Sequence, residues 1–229
     1  MNQPLKNYYE IYSRMFVAVD CIIFGIKNHR LSILLTRRKF EPEKGTWSLM
    51  GGFVEPNESI DQAAYRVLSD LTGLKDIYIE QVGGFGSVDR DPGERVVSIA
   101  YTSLINLTED VLAETEAHGG CWTPFDELPP LCFDHPQMIE AARQRLQRNF
   151  ATEPVAFNLL PEYFTLSQLQ ALYETVLDEE IDKRNFRKRV NELSCIVPTE
   201  KIDKTTSRRG ARLHRFDFEA YSTCHKFKL

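Results

Sequence analysis

Apolar residues fall in short β-branched runs from Phe16 to about Phe125 and in helical stripes thereafter. FVAVDCIIFGI and RLSILLTRR, separated by the turn-like KNH, read as strands, and TWSLMGGFV, IYIEQVGGFGSV, RVVSIAYTSLI and GGCWTPFDEL extend the series. One strong helix, predicted over Ser59 to Leu71, interrupts them. Strands around a single helix predict an α/β or α+β domain organised on a mixed sheet. A further helix is predicted in PQMIEAARQRLQRNF, with Pro136 at its start and Ile139, Ala142, Leu146 and Phe150 on one stripe. The following ATEPVAFNLLPEY carries two prolines and reads as a linker, so domains are expected at 1–150 and 151–229.

Beyond that point the pattern is helical. TLSQLQALYETVL has Thr165 and Gln168 at capping-box spacing, with Leu166, Leu169, Leu172 or Tyr173, and Val176 on one side. Asp182 is the expected N-cap of KRNFRKRVNEL, whose buried stripe is Phe186, Val190 and Leu193. Its opposite face carries Arg184, Arg187, Lys188 and Asn191. An extended CIVPTEKI, a basic turn DKTTSRRGA and a second run RLHRFDF follow. Helix, turn, basic helix and β-ribbon is the order of a winged helix-turn-helix.

Composition excludes several classes and charge adds one. With 42% hydrophobic and 27% charged residues, the chain is of ordinary globular type. The longest apolar candidate, MFVAVDCIIFGI, is broken by Asp20 and Gly25, so no membrane span is expected, and MNQPLKNYYEIYSR lacks a secretion-signal pattern, which predicts a cytoplasmic protein. Cys21, Cys121, Cys132, Cys195 and Cys224 are scattered and suit reduced thiols. A four-ligand grouping of His118, Cys121, Cys132 and His135 lacks zinc-knuckle spacing, and no metal or other cofactor is expected. The net charge of −5 conceals an asymmetry, because Lys183 to Arg215 holds 11 basic residues and 3 acidic ones. That end is suited to a polyanion.

Candidate chemistry begins at GGFVEPNESIDQAAYRVLSDLTGL, Gly51 to Leu74. Gly52, Glu58, Arg66, Leu68, Gly73 and Leu74 stand at the spacing of the Nudix box, which this stretch resembles, and they imply a Nudix-like mixed-sheet sandwich. The chemistry of such a box needs clustered carboxylates that hold divalent cations through oxygen. Positions 67, 70 and 71 share a helix face and read Val67, Asp70 and Leu71. One remaining acid predicts no hydrolysis and a domain kept as a receptor or dimerisation platform. An active hydrolase of nucleoside diphosphate derivatives, with Glu55 or Glu58 compensating, is the alternative, and a protein-interaction adaptor is a second.

FTLSQLQALYE, DKRNFRKR and GARLHRF resemble the C-terminal winged helix of the Nudix-related transcriptional regulators, the NrtR-like family, in which that domain follows a Nudix-like sensor. The family pattern has Pro after the wing glycine, where this chain has Ala211 after Gly210. The resemblance implies an effector-responsive regulator that binds double-stranded DNA as a homodimer. Arg184, Arg187, Lys188 and Asn191 suit base edges, and Lys183, Arg189, Arg208, Arg209 and Arg212 suit phosphates or the minor groove. Family branches answer to ADP-ribose, governing NAD metabolism, or to sugars beside catabolic genes. The loss of metal acids favours a sugar or sugar phosphate over an ADP-ribose-like ligand, and the expected role is control, as a repressor, of a catabolic or NAD-related operon. Arg37, Arg38, Trp47, Phe53 and Phe85 are candidate effector contacts from their places near the box, the aromatics being equally suited to simple core.

Overall fold

A computed structural model describes residues 9–75, 77–204 and 210–222. The chain divides into two compact units. The first comprises residues up to Phe24, Ile33–Ser103 and Glu109–Ala142; the second comprises Gly25–Ser32, Leu104–Thr108 and the chain from Arg143 on. Residues 143–150 of the last helix expected in the first domain therefore cluster with the second unit, as do the first turn of the sheet and the end of one of its strands.

The first unit is built on a seven-stranded sheet of β1 (Phe16–Lys27), β2 (Arg30–Arg37), β3 (Trp47–Ser48), β4 (Met50–Phe53), β5 (Glu80–Phe85), β6 (Val96–Asn106) and β7 (Gly120–Pro124). Its main path runs β3-β2-β1-β6-β5, with β4 also paired to β1 and β7 to β2. β1 is central, and Val19 through Phe24 are buried without alternation, as expected of a strand covered on both faces. β4 pairs antiparallel with it, setting Asp20 opposite Gly51 and Val19 opposite Gly52.

Helix α1 (Ile60–Thr72) lies against β4 and buries Ala63, Ala64, Val67 and Leu68. Its start is a capping box in which Ser59 Oγ accepts from Gln62 N at 3.2 Å and Gln62 Oε1 from Ser59 N at 2.8 Å. It ends on Gly73 at φ 73°, a left-handed position suited to glycine. Two expectations change here. The strand expected across IYIEQVGGFGSV is confined to Glu80–Phe85, and a helix α2 (Glu109–Ala117) appears where none was expected. Only Thr115 of α2 is buried, so it has no apolar stripe by which a sequence reader finds a helix.

In the second unit, the C-terminal half of α3 (His135–Thr152) joins α4 (Leu166–Leu177) and α5 (Lys183–Glu192). Tyr173, fully buried on α4, meets Phe150 at 5.4 Å and Phe186 at 5.8 Å between ring centroids. Thr165 and Gln168 form the expected capping box, and Asp182 accepts from Asn185 N at 2.9 Å as the cap of α5. β8 (Phe164–Thr165), β9 (Ile196–Asp203) and β10 (Ala211–Phe216) form an antiparallel sheet in the order β8-β10-β9. This is the winged helix-turn-helix that the sequence order predicts. The Pro-bearing stretch read as a linker is packed instead: Ala156 and Phe157 are buried, and the Phe157 ring stacks on Phe216 at 4.0 Å and 17°. A short helix α6 (Phe218–Ser222) ends the described chain.

Candidate effector cavity and nucleic-acid interface

The box helix keeps the framework of its motif. Glu58 accepts from Arg66 Nε at 2.9 Å and Nη2 at 2.5 Å, and from Glu55 N at 2.8 Å. Arg66 also donates to Phe53 O at 2.9 Å, tying the helix to the end of β4. The Arg66 hydrogen bond, with the backbone donor behind it, holds the Glu58 carboxyl down to about 2. Both Glu58 carboxylate oxygens are thus engaged by Arg66 and the Glu55 backbone. Val67 is buried, with Cγ2 2.8 Å from where a Cβ on Gly52 would stand. Asp70 is exposed and Leu71 half-buried. Among the described residues no group of three or more His, Cys, Asp or Glu is placed to hold a metal ion. Val67 and Leu71 offer a cation no oxygen and Asp70 offers a single carboxylate, which does not fit the divalent cations of a Nudix box, since these need several clustered oxygens.

Beside the box glycines a cavity of about 610 Å³ opens within the first unit. Phe16, Phe40, Phe53 and Phe133 form its apolar wall, and Asp20, Glu41, Asp91 and Glu94 its acids. Arg38 and Arg90 are its cations, and His135 faces it with them. The size lies within the roughly 300–1,000 Å³ common for small-ligand sites.

A buried polar cluster underlies the cavity. Asp20, 6% exposed, accepts from Ser98 Oγ at 2.5 Å and lies 3.8 Å from Arg90 Nη2 and 3.7 Å from His135 Nε2. Arg90 is bidentate to Asp134, with Nε to Oδ2 at 3.0 Å and Nη2 to Oδ1 at 2.8 Å. Leu49 N donates to His135 Nδ1 at 3.1 Å, which places the imidazole proton on Nε2, toward Asp20. Burial pushes His135 below the ordinary histidine value, against the pull of Asp20 and Asp134. Gly51 stands where it does because a Cβ there would collide with Asp20 Oδ1.

Of the effector candidates, Arg38 and Phe53 line the cavity, while Arg37, Trp47 and Phe85 do not. Arg37 stacks on Trp47, 3.8 Å from its ring centroid, and donates to Gly45 O at 2.8 Å. Arg38, the residue after the end of β2, turns elsewhere: it lies 4.7 Å over the Phe133 ring and donates to Pro42 O at 2.8 Å. Phe85 closes β5, half-buried. Sequence reading passed over Asp20, Arg90 and Asp134 as site residues and weighed His135 only in a metal-ligand grouping. Their separation along the chain leaves no spacing to find, yet Asp20 inside an apolar strand was a visible signal, since a buried acid requires partners. Of the grouping His118, Cys121, Cys132 and His135, only Cys132 and His135 meet, Sγ to Nδ1 at 3.5 Å. Cys21, Cys121, Cys132 and Cys195 are free thiols, and Cys224 lies outside the described residues.

On α5, Phe186 and Val190 face inward, and Lys183, Arg184, Arg187, Lys188, Arg189 and Asn191 are all exposed. Lys183, Arg187 and Asn191, four residues apart, border with Arg212 of β10 a second concavity of about 630 Å³. Arg184 and Lys188 lie on the same helix outside it. Arg208 and Arg209 fall outside the described residues. Among the described residues no helix is long and apolar enough to cross a membrane.

Residues 14–142 match the NUDIX domain family, and residues 156–216 match the NrtR DNA-binding winged helix domain. The chain is 32% identical over 214 residues to the ADPR responsive transcriptional repressor NtrR of Acinetobacter baylyi, covering 92% of this chain and 85% of that protein. The chain belongs to the NrtR family. Its fold agrees with the crystal structure of Shewanella oneidensis NrtR complexed with a 27mer DNA, at a TM-score of 0.75 and 31% identity, over 90% of this chain and 95% of that one. The Nudix half also has an enzyme among its relatives, the ADP-ribose pyrophosphatase of Methanocaldococcus jannaschii, 36% identical over 138 residues, 60% of this chain and 78% of that protein. As an NrtR-family protein the chain is a DNA-binding transcriptional regulator with a Nudix-like domain.

The His135 environment carries a pH dependence. Its folded pKa is depressed by burial below an unfolded value near 6.5, so the stability it contributes is present above about pH 6.5 and lost as pH falls through the folded value. Urea unfolding of the native chain between pH 7.5 and 5 is expected to show falling stability. His135→Asn, which keeps an acceptor for Leu49 N, should flatten that fall. The similarly depressed His214 is present in both proteins, so the difference isolates His135. Identical slopes would contradict the assignment.

Proposed function

We propose that this protein is a repressor whose Nudix-like unit binds ADP-ribose, or a closely related nucleoside diphosphate sugar, without hydrolysing it. One observation carries the reading: a formed cavity lies beside the box glycines, while the box helix presents Val67, Asp70 and Leu71 where metal-holding acids belong. Both the Acinetobacter repressor and the Methanocaldococcus enzyme are named for ADP-ribose, which supports the ligand class. The Phe rings suit a nucleobase, the carboxylates suit ribose hydroxyls, and Arg38 suits one diphosphate oxygen pair. The preponderance of acids over cations favours a neutral sugar as the rival ligand, and free ribose is the comparison that separates the two.

The DNA-facing roles belong to α5 and the ribbon. Arg187 and Asn191 read base edges, with Arg184 and Lys188 beside them, and Lys183 and Arg212 take phosphates, as do Arg208 and Arg209. The acting unit is a homodimer on two half-sites. The exposed apolar run Tyr9, Ile11, Tyr12, Met15 and Phe16, extended by Phe53, supports such self-association.

Two outcomes follow. Titration calorimetry should show binding of ADP-ribose in preference to ribose, with no turnover in Mg²⁺ or Mn²⁺. Turnover near the roughly 1–10³ s⁻¹ of ordinary enzymes, abolished by Asp70→Ala, would overturn the non-catalytic reading. For DNA, Arg187→Ala should cost about 1–3 kcal/mol on the preferred operator and relax its sequence preference. Unchanged affinity and preference, measured by fluorescence anisotropy, would remove α5 as the reading helix.

A further inference from the structure

The concavity beside α5 has a wall from outside the winged helix. His29, from the turn between β1 and β2, lines it together with Lys183, Arg187, Asn191 and Arg212. By sequence the turn lies within the NUDIX match, residues 14–142, yet by its contacts it belongs to the second unit, in the segment Gly25–Ser32. Its place is built: Thr175 Oγ1 of α4 donates to His29 O at 3.3 Å, and Leu107 N donates to Ile26 O at 3.0 Å. Asn28 at φ 51° and His29 at φ 60° form the left-handed pair of a tight hairpin, which turns the His29 side chain outward at an exposed position.

The charge of the concavity is one-sided. Among the described residues its lining includes three Lys or Arg and two His, with Thr165, Ser167 and Gln168 at the start of α4, and no Asp or Glu. A 12-residue helix beginning there adds the partial positive charge of its first turn. A surface of this kind takes an anionic strand, and an imidazole donates a hydrogen bond to phosphate in either protonation state.

We propose that His29 contacts the sugar–phosphate backbone of the operator, so that the DNA interface of this protein extends from the winged helix onto the first hairpin of the Nudix-like sheet. The inference rests on the DNA-binding reading of α5 given above. It adds a protein contact that positions the duplex without reading sequence.

The test uses the full chain and an operator duplex, with a scrambled duplex of equal length, in anisotropy titrations across a salt series. His29→Lys and His29→Glu place comparable side chains at the same left-handed backbone position, so opposite effects on DNA cannot arise from folding. His29→Lys should tighten binding to both duplexes and steepen the salt slope by about 0.9. His29→Glu should weaken both by roughly tenfold and make the slope shallower by about one. Lys75→Glu, an exposed charge reversal in the first unit away from both cavities, should change affinity far less. If both His29 variants bind as the native chain does, or no differently from Lys75→Glu, the hairpin contact is overturned while DNA binding by α5 stands. Failure of the native chain to bind either duplex would overturn the DNA-binding reading itself, and the hairpin contact with it.

Discussion

A carboxylate buried in the middle of an apolar strand governs the first unit. Asp20 interrupts a run in which Val19 and Cys21 through Phe24 are all buried, and an unpaired acid there would neutralise or unfold its surroundings. Ser98, Arg90 and His135 approach it from β6, from the loop before it and from the start of α3. Arg90 is in turn shared with Asp134, so one charge fixes the junction of three segments distant in sequence. Breaking such a buried set by removing one partner typically costs about 3–5 kcal/mol. The same carboxylate reserves the space opposite Gly51, and so the floor of the cavity depends on it.

The box helix keeps the backbone framework of its motif around Val67, Asp70 and Leu71. The capping box at Ser59, the Glu58–Arg66 pair and the left-handed Gly73 are backbone devices, and all three are in place. Val67 converts one metal-facing position into packing against Gly52, which a charged side chain would not tolerate without a cation. What remains beside the box glycines is a shaped cavity with aromatic walls and a polar floor, suited to holding a ligand by contacts formed in advance.

Much of this was legible from residue order. The strands of the sheet, the box helix, the two helices of the C-terminal domain with their Thr165 and Asp182 caps, and the basic face of α5 all follow from periodicity and capping chemistry, which are local. Arg38 and Phe53 lie on the cavity because they flank the box, and proximity in sequence there is proximity in space. Arg37 illustrates the limit: one residue from Arg38, at the end of β2, it turns onto Trp47 instead, and proximity in sequence does not say which of the two meets the cavity. Arg90, Asp134 and His135 are joined only by the fold, and the placement of the hairpin turn beside α5 depends on tertiary contacts that no local pattern encodes. Helix α2, with a single buried residue, and the packed 154–158 segment were missed for the same reason.

On the proposed function, occupancy of the cavity and occupancy of DNA are linked through one equilibrium. A ligand shifts such an equilibrium only by its difference in affinity for the two states, and linkage makes the effect reciprocal. The most direct measurement is calorimetric titration of ADP-ribose into the full chain, alone and saturated with its operator. The affinities should differ by about 5- to 150-fold, the range of ordinary coupling energies, with the operator affinity changing by the same factor when ADP-ribose is present. Equal ADP-ribose affinities with and without DNA would contradict the claim and leave the Nudix-like unit uncoupled from the winged helix.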